Sequence, residues 1–117
     1  MKQIAVIFRS APHRNARARE GLEFAMLAAS LDQHVSLLFV NEGIFNLVPQ
    51  QAELIGNKDY LATFKAVDFY DIEPVMILDT SLAQFGIDAT QLSYDAEVVD
   101  QQTMQQHLQQ VDEVLVF

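Results

Sequence analysis

The sequence of 117 residues contains no cysteine. It therefore excludes a disulfide framework, a thiolate metal site and any thiol able to carry a persulfide. It also has no apolar run approaching the ~20 residues that a helix needs to cross a bilayer. Its start, Met1-Lys2-Gln3, leads into a strand pattern without the features of a signal peptide. We therefore expect a soluble, cytoplasmic protein that does not insert into membranes.

Positive charge is scarce, because seven Lys and Arg residues face 16 Asp and Glu residues, a net charge of −9. Four of the cations lie around one loop and one helix start: Arg9, Arg14, Arg17 and Arg19. They are typical of a solvated helix start, partly paired with Glu20 and Glu23. The alternative is that Arg9, His13 and Arg14 hold an anion there. Since nucleic-acid-binding proteins normally present a basic patch, we expect no direct contact with nucleic acid.

Glycine and histidine are also few, and their placement argues against two kinds of site. The four glycines are isolated, and none follows a strand in the G-x-G-x-x-G manner of a phosphate-binding loop. The three histidines are scattered, without the paired spacing of metal ligands. We therefore expect neither a cofactor nor a metal.

Hydrophobic residues, in contrast, make up 50% of the chain, at the upper edge for a globular protein. A chain of this length forms one domain, at residues 1–117, with a core of its own. For so small a body, we expect part of the apolar surface to be buried against another chain.

The hydrophobic pattern alternates between strands and helices. Strands are predicted at Ile4–Phe8, Val35–Val40, Pro74–Leu78, Glu97–Val99 and Glu113–Phe117. Helical segments are predicted at about Asn15–Leu31, Glu42–Val48, Lys58–Val67 and Ser81–Phe85, and after an Asp100 cap to Gln110. Near-continuous apolar strands separated by helices indicate a parallel sheet between helix layers. The prediction is a three-layer α/β/α sandwich with a five-stranded parallel sheet, flavodoxin-like in outline.

The first helix carries two apolar stripes at helical spacing on nearly opposite sides. One comprises Leu22, Ala25, Met26 and Ala29, and the other Phe24, Leu27, Ala28 and Leu31. One stripe suffices to cover the sheet, so we predict that Phe24, Leu27 and Leu31 contact another subunit. The alternative is that Phe24 folds under a neighbouring loop and that Ala28 is merely small.

A second candidate contact is the segment from residue 44 to residue 48. Its apolar residues are Ile44, Phe45, Leu47 and Val48. Such residues, following a strand, either tuck under their own domain or meet a neighbouring subunit. Both interpretations stay open from the residues alone.

Polar side chains should gather beyond the carboxyl ends of the strands, where open parallel sheets bind ligands. They are Ser10, His13, Asn41, Glu42, Asp79, Thr80 and Ser81. Ser10, His13 and Asp79 could form a hydrolytic set, but no G-x-S-x-G elbow places a nucleophile. We therefore expect no catalytic residue.

Five blocks of sequence occur in a characteristic order. They are Gln3–Phe8 opening into Arg9-Ser10-Ala11-Pro12-His13, then Arg19–Leu22, Phe39–Phe45, Asp59–Lys65 and Phe69–Glu73. This ordered set resembles the DsrF-like branch of the DsrE/DsrF/DsrH family of sulfur-relay proteins, over essentially the whole chain. In that family, the carrier subunits hold sulfur on a cysteine at the end of the third main strand. The matching position here is Leu78 or Asp79, and neither can hold a persulfide.

The resemblance implies a noncatalytic structural subunit, not an enzyme, in a relay that ends in the 2-thio group of wobble uridine in tRNA. It implies TusB-like and TusD-like homologous partners in a heterohexamer, a TusA-like sulfur donor and a TusE-like acceptor. It favours the subunit contact for residues 44–48, and self-association when the chain is expressed alone. Ser10 and His13 could then tune a partner's cysteine.

Two alternatives remain beside this interpretation. One is a stand-alone flavodoxin-like domain that binds or converts a small molecule. The other is a DsrF-type subunit serving dissimilatory sulfur oxidation.

Overall fold

The computed structural model describes residues 2–11, 16–48, 66–92 and 94–117. Within them, five strands form one sheet: β1 (Gln3–Phe8), β2 (His34–Phe39), β3 (Val75–Leu78), β4 (Glu97–Val99) and β5 (Glu113–Val116). Their order across the sheet is β4-β3-β2-β1-β5, and every pairing between neighbours is parallel. The predicted five-stranded parallel sheet is confirmed.

The helices of the described residues lie between these strands. They are α1 (Arg17–Ser30), a first 3₁₀ helix (Asn41–Asn46), α2 (Ala66–Phe69), α3 (Asp79–Gln84), a second 3₁₀ helix (Ala89–Gln91) and α4 (Gln101–Gln110). Among these helices, none has the length and apolar character needed to span a membrane. The chain steps across the sheet from β1 to β4, then returns past β1 to β5. Because crossovers between parallel strands are right-handed, this reversal places α4 on the opposite face from α1.

Both faces of the sheet are covered, which explains the near-continuous apolar strands. The face under α1, the first 3₁₀ helix and α3 contributes Ile4, Val6, Phe8, Val35, Leu37, Phe39, Val75 and Ile77 to one core. The face under α4 contributes Ala5, Leu38, Met76 and Val99, which pack against Met104. The sheet is therefore the middle layer of the predicted α/β/α sandwich.

The elements with local signals have the predicted bounds. β4 spans Glu97–Val99, and α4 ends at Gln110 as the pattern indicates. Asp100 caps α4, because its carboxylate accepts a hydrogen bond of 2.7 Å from the backbone N–H of Thr103. Gly86 follows α3 with a φ of 65°, the left-handed conformation that favours glycine after a helix.

Other bounds differ from the prediction. α3 begins at Asp79 rather than Ser81. The hydroxyl of the buried residue Ser81 accepts a hydrogen bond of 2.8 Å from the backbone N–H of Asn41, so it does not cap the helix. An acidic residue in the first helical turn is favourable there. α1 spans Arg17–Ser30 instead of about Asn15–Leu31. Most of the predicted helix Lys58–Val67 lies outside the described residues.

His107 of α4 meets the sheet at a polar point in the second core. Its ring nitrogen Nε2 lies 2.8 Å from the hydroxyl of Ser36, a buried residue of β2. Burial lowers the pKa of His107 below its usual value, and repulsion from His34 adds to this. The imidazole is thus held neutral near pH 7, as a boundary residue between the apolar and solvated sides of α4.

The pKa of His107 predicts how stability depends on pH. Since the folded pKa is lowered, the unfolded chain binds more protons as the pH falls below about 6.5, so stability declines through that window. An NMR titration should find His107 below the usual histidine pKa, and His107→Gln should flatten the decline in the free energy of unfolding between about pH 7 and pH 5. In the control His34→Gln, the pKa of His107 should still lie below its usual value, but by a smaller amount, since burial is the larger cause of the shift. A His107 pKa at or above the usual value would contradict this account.

Candidate functional site

The carboxyl ends of β1, β2 and β5 meet at a cavity of about 510 Å³. Its lining residues are Arg9, Ser10, Arg17, Asn41, Glu42, Val116 and Phe117. This is the edge at which open parallel sheets bind ligands, beside the strand where the chain's direction across the sheet reverses. Four members of the predicted polar set, Ser10, Asn41, Glu42 and Ser81, are brought to this edge or to its immediate support.

One wall of the cavity is built by the last residues of the chain. The backbone N–H of Arg9 donates to the carbonyl of Phe117 at 2.7 Å, which extends the pairing of β1 with β5. The Arg17 guanidinium donates to the carbonyl of Val116 at 3.1 Å. This arginine therefore ties the start of α1 to the end of β5, rather than serving only as a solvated helix start.

The opposite wall is held by two side-chain hydrogen-bonding groups. Asn41 has a φ of 51°, and its N–H donates to the Ser81 hydroxyl, which joins the end of β2 to α3. The buried Asn46 amide donates to the carbonyls of Ser10 at 3.0 Å and Gly43 at 2.8 Å. These bonds fix the turn after β2 against the loop after β1, and so they fix where Ser10 lies.

Residue 43 in this wall must be a glycine, because there is no room for a side chain between it and β1. A Cβ atom on it would overlap the backbone carbonyl of Phe8 and come within 3.0 Å of the Arg9 nitrogen. The rings of Phe8 and Phe39 stack beneath the wall with centroids 4.9 Å apart. The close approach of the first 3₁₀ helix to β1 is therefore possible only without a side chain at residue 43.

The position that matches the carriers' cysteine lies at the end of β3, the strand next to β2, and does not line the cavity. Leu78 is the last residue of β3, and Asp79 is the first residue of α3. Leu78 is half-buried against the core beneath α4, whereas Asp79 is exposed. The strand end and the short helix expected at this position are both found. In place of a cysteine, however, they carry the aliphatic side chain of Leu78 and the carboxylate of Asp79.

The arrangement offers little for catalysis. The described histidines lie elsewhere: His34 begins β2 at the amino edge of the sheet, and His107 faces Ser36. His13, the partner considered for Ser10 in a hydrolytic set, lies outside the described residues. Among the residues that the structure describes, no group of three acidic or histidine side chains could hold a metal ion.

The predicted contact segment after β2 needs a correction. Ile44 and Leu47 are 0% exposed, and Val48 is 8% exposed. They belong to the core of their own domain and leave no side-chain surface for a neighbour, so the subunit-contact prediction is wrong for these three residues. Phe45 differs, because it is half-buried at the margin, with its ring 5.0 Å from that of Phe85.

The second stripe of α1 is divided in the same way. Ala28 is buried, and Phe24 is half-buried with its ring centroid 6.3 Å from that of Phe117. Leu27 and Leu31, however, are 60% and 63% exposed. Their contact with another subunit stays a prediction, and Phe24 can contribute only its outer edge to it.

Two residues that hold the walls of the cavity, Asn46 and Phe117, were not singled out from the sequence, and Arg17 was interpreted there only as part of a solvated helix start. The partners of all three are distant in the chain. Only the glycine at residue 43 gave a local signal, because an isolated glycine just after a strand is typical of a close backbone approach. The polar set at the strand ends could be predicted because the carboxyl ends of parallel strands share one edge.

A model of the DsrE/DsrF-like family matches residues 2–117 of the sequence. The chain belongs to the DsrE/DsrF-like family. A protein of Vibrio parahaemolyticus named Protein TusC homolog is 35% identical over 118 residues, and one of Aliivibrio fischeri with the same name is 28% identical. Each alignment covers 100% of both chains. The resemblance to this family that the five sequence blocks indicate is thereby confirmed over the whole length, and both of these relatives are named TusC homologs.

The fold of this DsrE/DsrF-like chain also has a solved counterpart. The crystal structure of the ychN protein from E. coli aligns with a TM-score of 0.82 and covers 100% of both chains. The sequence identity is 16%, so this likeness concerns the fold alone. It agrees with the parallel five-stranded sandwich described above.

Proposed function

We propose that this chain is a noncatalytic structural subunit of a cytoplasmic sulfur relay that supports 2-thiolation of wobble uridine in tRNA. One observation carries the proposal: the strand end that matches the carriers' cysteine is built from Leu78 and Asp79, in a chain with no cysteine at all. Relay of sulfane sulfur needs a polarisable thiolate that forms a persulfide. A subunit without a thiol can shape the relay but cannot carry its sulfur.

The partners in this proposal are TusB-like and TusD-like homologous subunits, assembled with the chain into a heterohexamer. Full-length similarity to proteins named TusC homolog supports this choice. Sulfur arrives from a TusA-like donor, resides on a partner's cysteine and leaves to a TusE-like acceptor. The apolar surface left for subunit contacts is Leu27 and Leu31, with the outer edges of Phe24 and Phe45.

The cavity at the strand ends supports a role for Ser10, and the same proposal assigns one to His13, which follows Ser10 by three residues in the sequence. Ser10 lines it together with Arg9 and Arg17. Cationic groups near a thiol lower its pKa and favour the thiolate. A partner's cysteine placed at this cavity would be activated by residues of this chain, with Ser10 and His13 as positioning residues.

Co-expression tests the proposal. The tagged chain, produced with the TusB-like and TusD-like proteins of its own organism, should purify as a stable complex whose members are identified by mass spectrometry. Produced alone, it should self-associate or be poorly soluble, because apolar surface then lacks its cover. A monodisperse monomer that binds neither the TusB-like nor the TusD-like protein would contradict the proposal.

A second candidate function is favoured by the cavity itself. Arg9 and Arg17 line a space large enough for a small anionic ligand. A stand-alone binding domain should show a rise in melting temperature with inorganic phosphate or flavin mononucleotide, because a ligand stabilises the state that binds it. The structural-subunit proposal expects no such rise with either compound.

A further inference from the structure

The exposed side of α1 combines two kinds of residue on one stripe. Glu20, Glu23, Leu27 and Leu31 are all exposed. At 3.6 residues per turn they lie within an arc of about 80°. We call these four residues the α1 outer stripe. Its first half is acidic and its second half is apolar.

The α1 outer stripe is not needed by its own domain. The helix packs on the sheet with the opposite side, through Ala18, Gly21, Leu22, Ala25 and Ala28, which are buried. Leu27 and Leu31 stay in water one helical turn apart, although leucine is among the residues most often buried. Neighbouring exposed apolar side chains framed by polar ones are typical of an interaction surface.

The charges of α1 indicate what can cover this surface. No lysine or arginine lies on the α1 outer stripe. Arg17 and Arg19 project about 80° to either side of its centre, and Arg17 is engaged with the carbonyl of Val116. The last turn of α1 carries no basic residue either. Whatever covers the leucines must therefore bring its own cations to Glu20 and Glu23.

A second copy of the chain does not meet this requirement. Two copies joined along the stripe would place carboxylates against leucines or against carboxylates, because the nearest cations of α1, Arg17 and Arg19, project about 80° away from the centre of each stripe. Burying a carboxylate without a partner is strongly unfavourable. The net charge of −9 on each copy adds repulsion at longer range.

We propose that the α1 outer stripe docks a homologous partner subunit, on a surface that carries apolar side chains next to lysine or arginine. The identity of the partner rests on the function proposed above. The chemistry of its surface rests on the stripe. The leucines supply buried apolar contact, and the glutamates set the orientation and the choice of partner.

The test measures the affinity of the purified chain for the co-purified TusB-like and TusD-like subunits by biolayer interferometry. One variant is Leu27→Ser with Leu31→Ser, and the other is Glu20→Lys with Glu23→Lys. The matched controls change other exposed residues at the far edge of the sheet: Val98→Ser, and Asp95→Lys with Glu97→Lys. Thermal melting verifies that each variant is folded.

The leucine variant should bind at least about tenfold more weakly, because a few buried apolar residues carry most of the energy of an interface. The charge-reversal variant should bind about tenfold more weakly at low salt, and this loss should shrink at high salt. Both controls should stay within about twofold of the unmodified chain, as expected for residues outside an interface.

Each other outcome overturns the inference in a different way. If the unmodified chain binds and both variants bind equally well, the stripe is not the contact while the proposed function stands. If charge reversal has no effect or tightens binding, the partner's surface is not basic. If the leucine substitutions abolish self-association of the chain alone but leave its affinity for both homologues unchanged, the occupant is a second copy. If the unmodified chain binds neither homologue, the proposed function fails as well.

Discussion

Replacing Gly43 with alanine should lower the free energy of unfolding by about 3 kcal/mol or more, a large fraction of the roughly 5–15 kcal/mol of an ordinary domain. The added Cβ would overlap the backbone carbonyl of Phe8, not the end of a flexible side chain. That carbonyl accepts a hydrogen bond of 3.1 Å from Val40 N–H. Phe8 is the last residue of a strand that is paired on both sides, so its backbone cannot move without loss of sheet hydrogen bonds.

Gly86→Ala is the matched control for this change. A Cβ at residue 86 would meet nothing within 4 Å, and the only cost is a φ of 65°. We expect a loss of about 1 kcal/mol there, the usual penalty for a non-glycine residue in the left-handed region. Urea unfolding of both variants measures the difference. Equal losses would show that the first 3₁₀ helix is not packed as tightly against β1 as described.

The strands and the last helix were predictable because their signals are local. Asp100 is an N-cap residue placed directly before an amphipathic run, and both ends of α4 follow from that run. The parallel sheet follows from strands that are apolar at nearly every position. Local signals placed the start of α3 two residues too late, at Ser81 instead of Asp79. The hydroxyl of Ser81 is bonded to the backbone N–H of Asn41 and does not mark the start of the helix.

Burial of the segment after β2 could not be predicted in the same way. Ile44 and Leu47 form a short apolar run that suits either a core or an interface. Gly43 decides between the two, because it lets the turn approach the backbone of Phe8 and carries these side chains into the core. The decisive contact joins residues 35 positions apart, and hydrophobic periodicity contains no information about it.

The two apolar stripes of α1 predicted the buried side of the helix but not how much of the other side is covered, for a related reason. Periodicity placed Leu22 and Ala25 on the sheet, and both are buried. It could not reveal that Phe117, the last residue, lies beside α1 and partly covers Phe24. The same side chain packs close to Gly21. Of the predicted contact residues on α1, Leu27 and Leu31 remain exposed, and the predicted subunit contact is now limited mainly to these two leucines.

The central claim is that the chain takes part in a sulfur relay without carrying sulfur. Its sulfur atoms belong to four methionines, and a thioether has no exchangeable hydrogen to be replaced by sulfane sulfur. No residue at the strand end can substitute, because the carboxylate of Asp79 cannot form a persulfide. Loss of the chain should therefore impair transfer through loss of assembly.

Labelling the assembled complex with radioactive sulfur from a loaded TusA-like donor tests this claim most directly. After separation of the subunits under denaturing, non-reducing conditions, the account predicts label on a partner subunit and none on this chain. The label on the partner should be released by a reductant, as expected for a persulfide, and it serves as the internal positive control. Reductant-sensitive label on this chain would contradict the account.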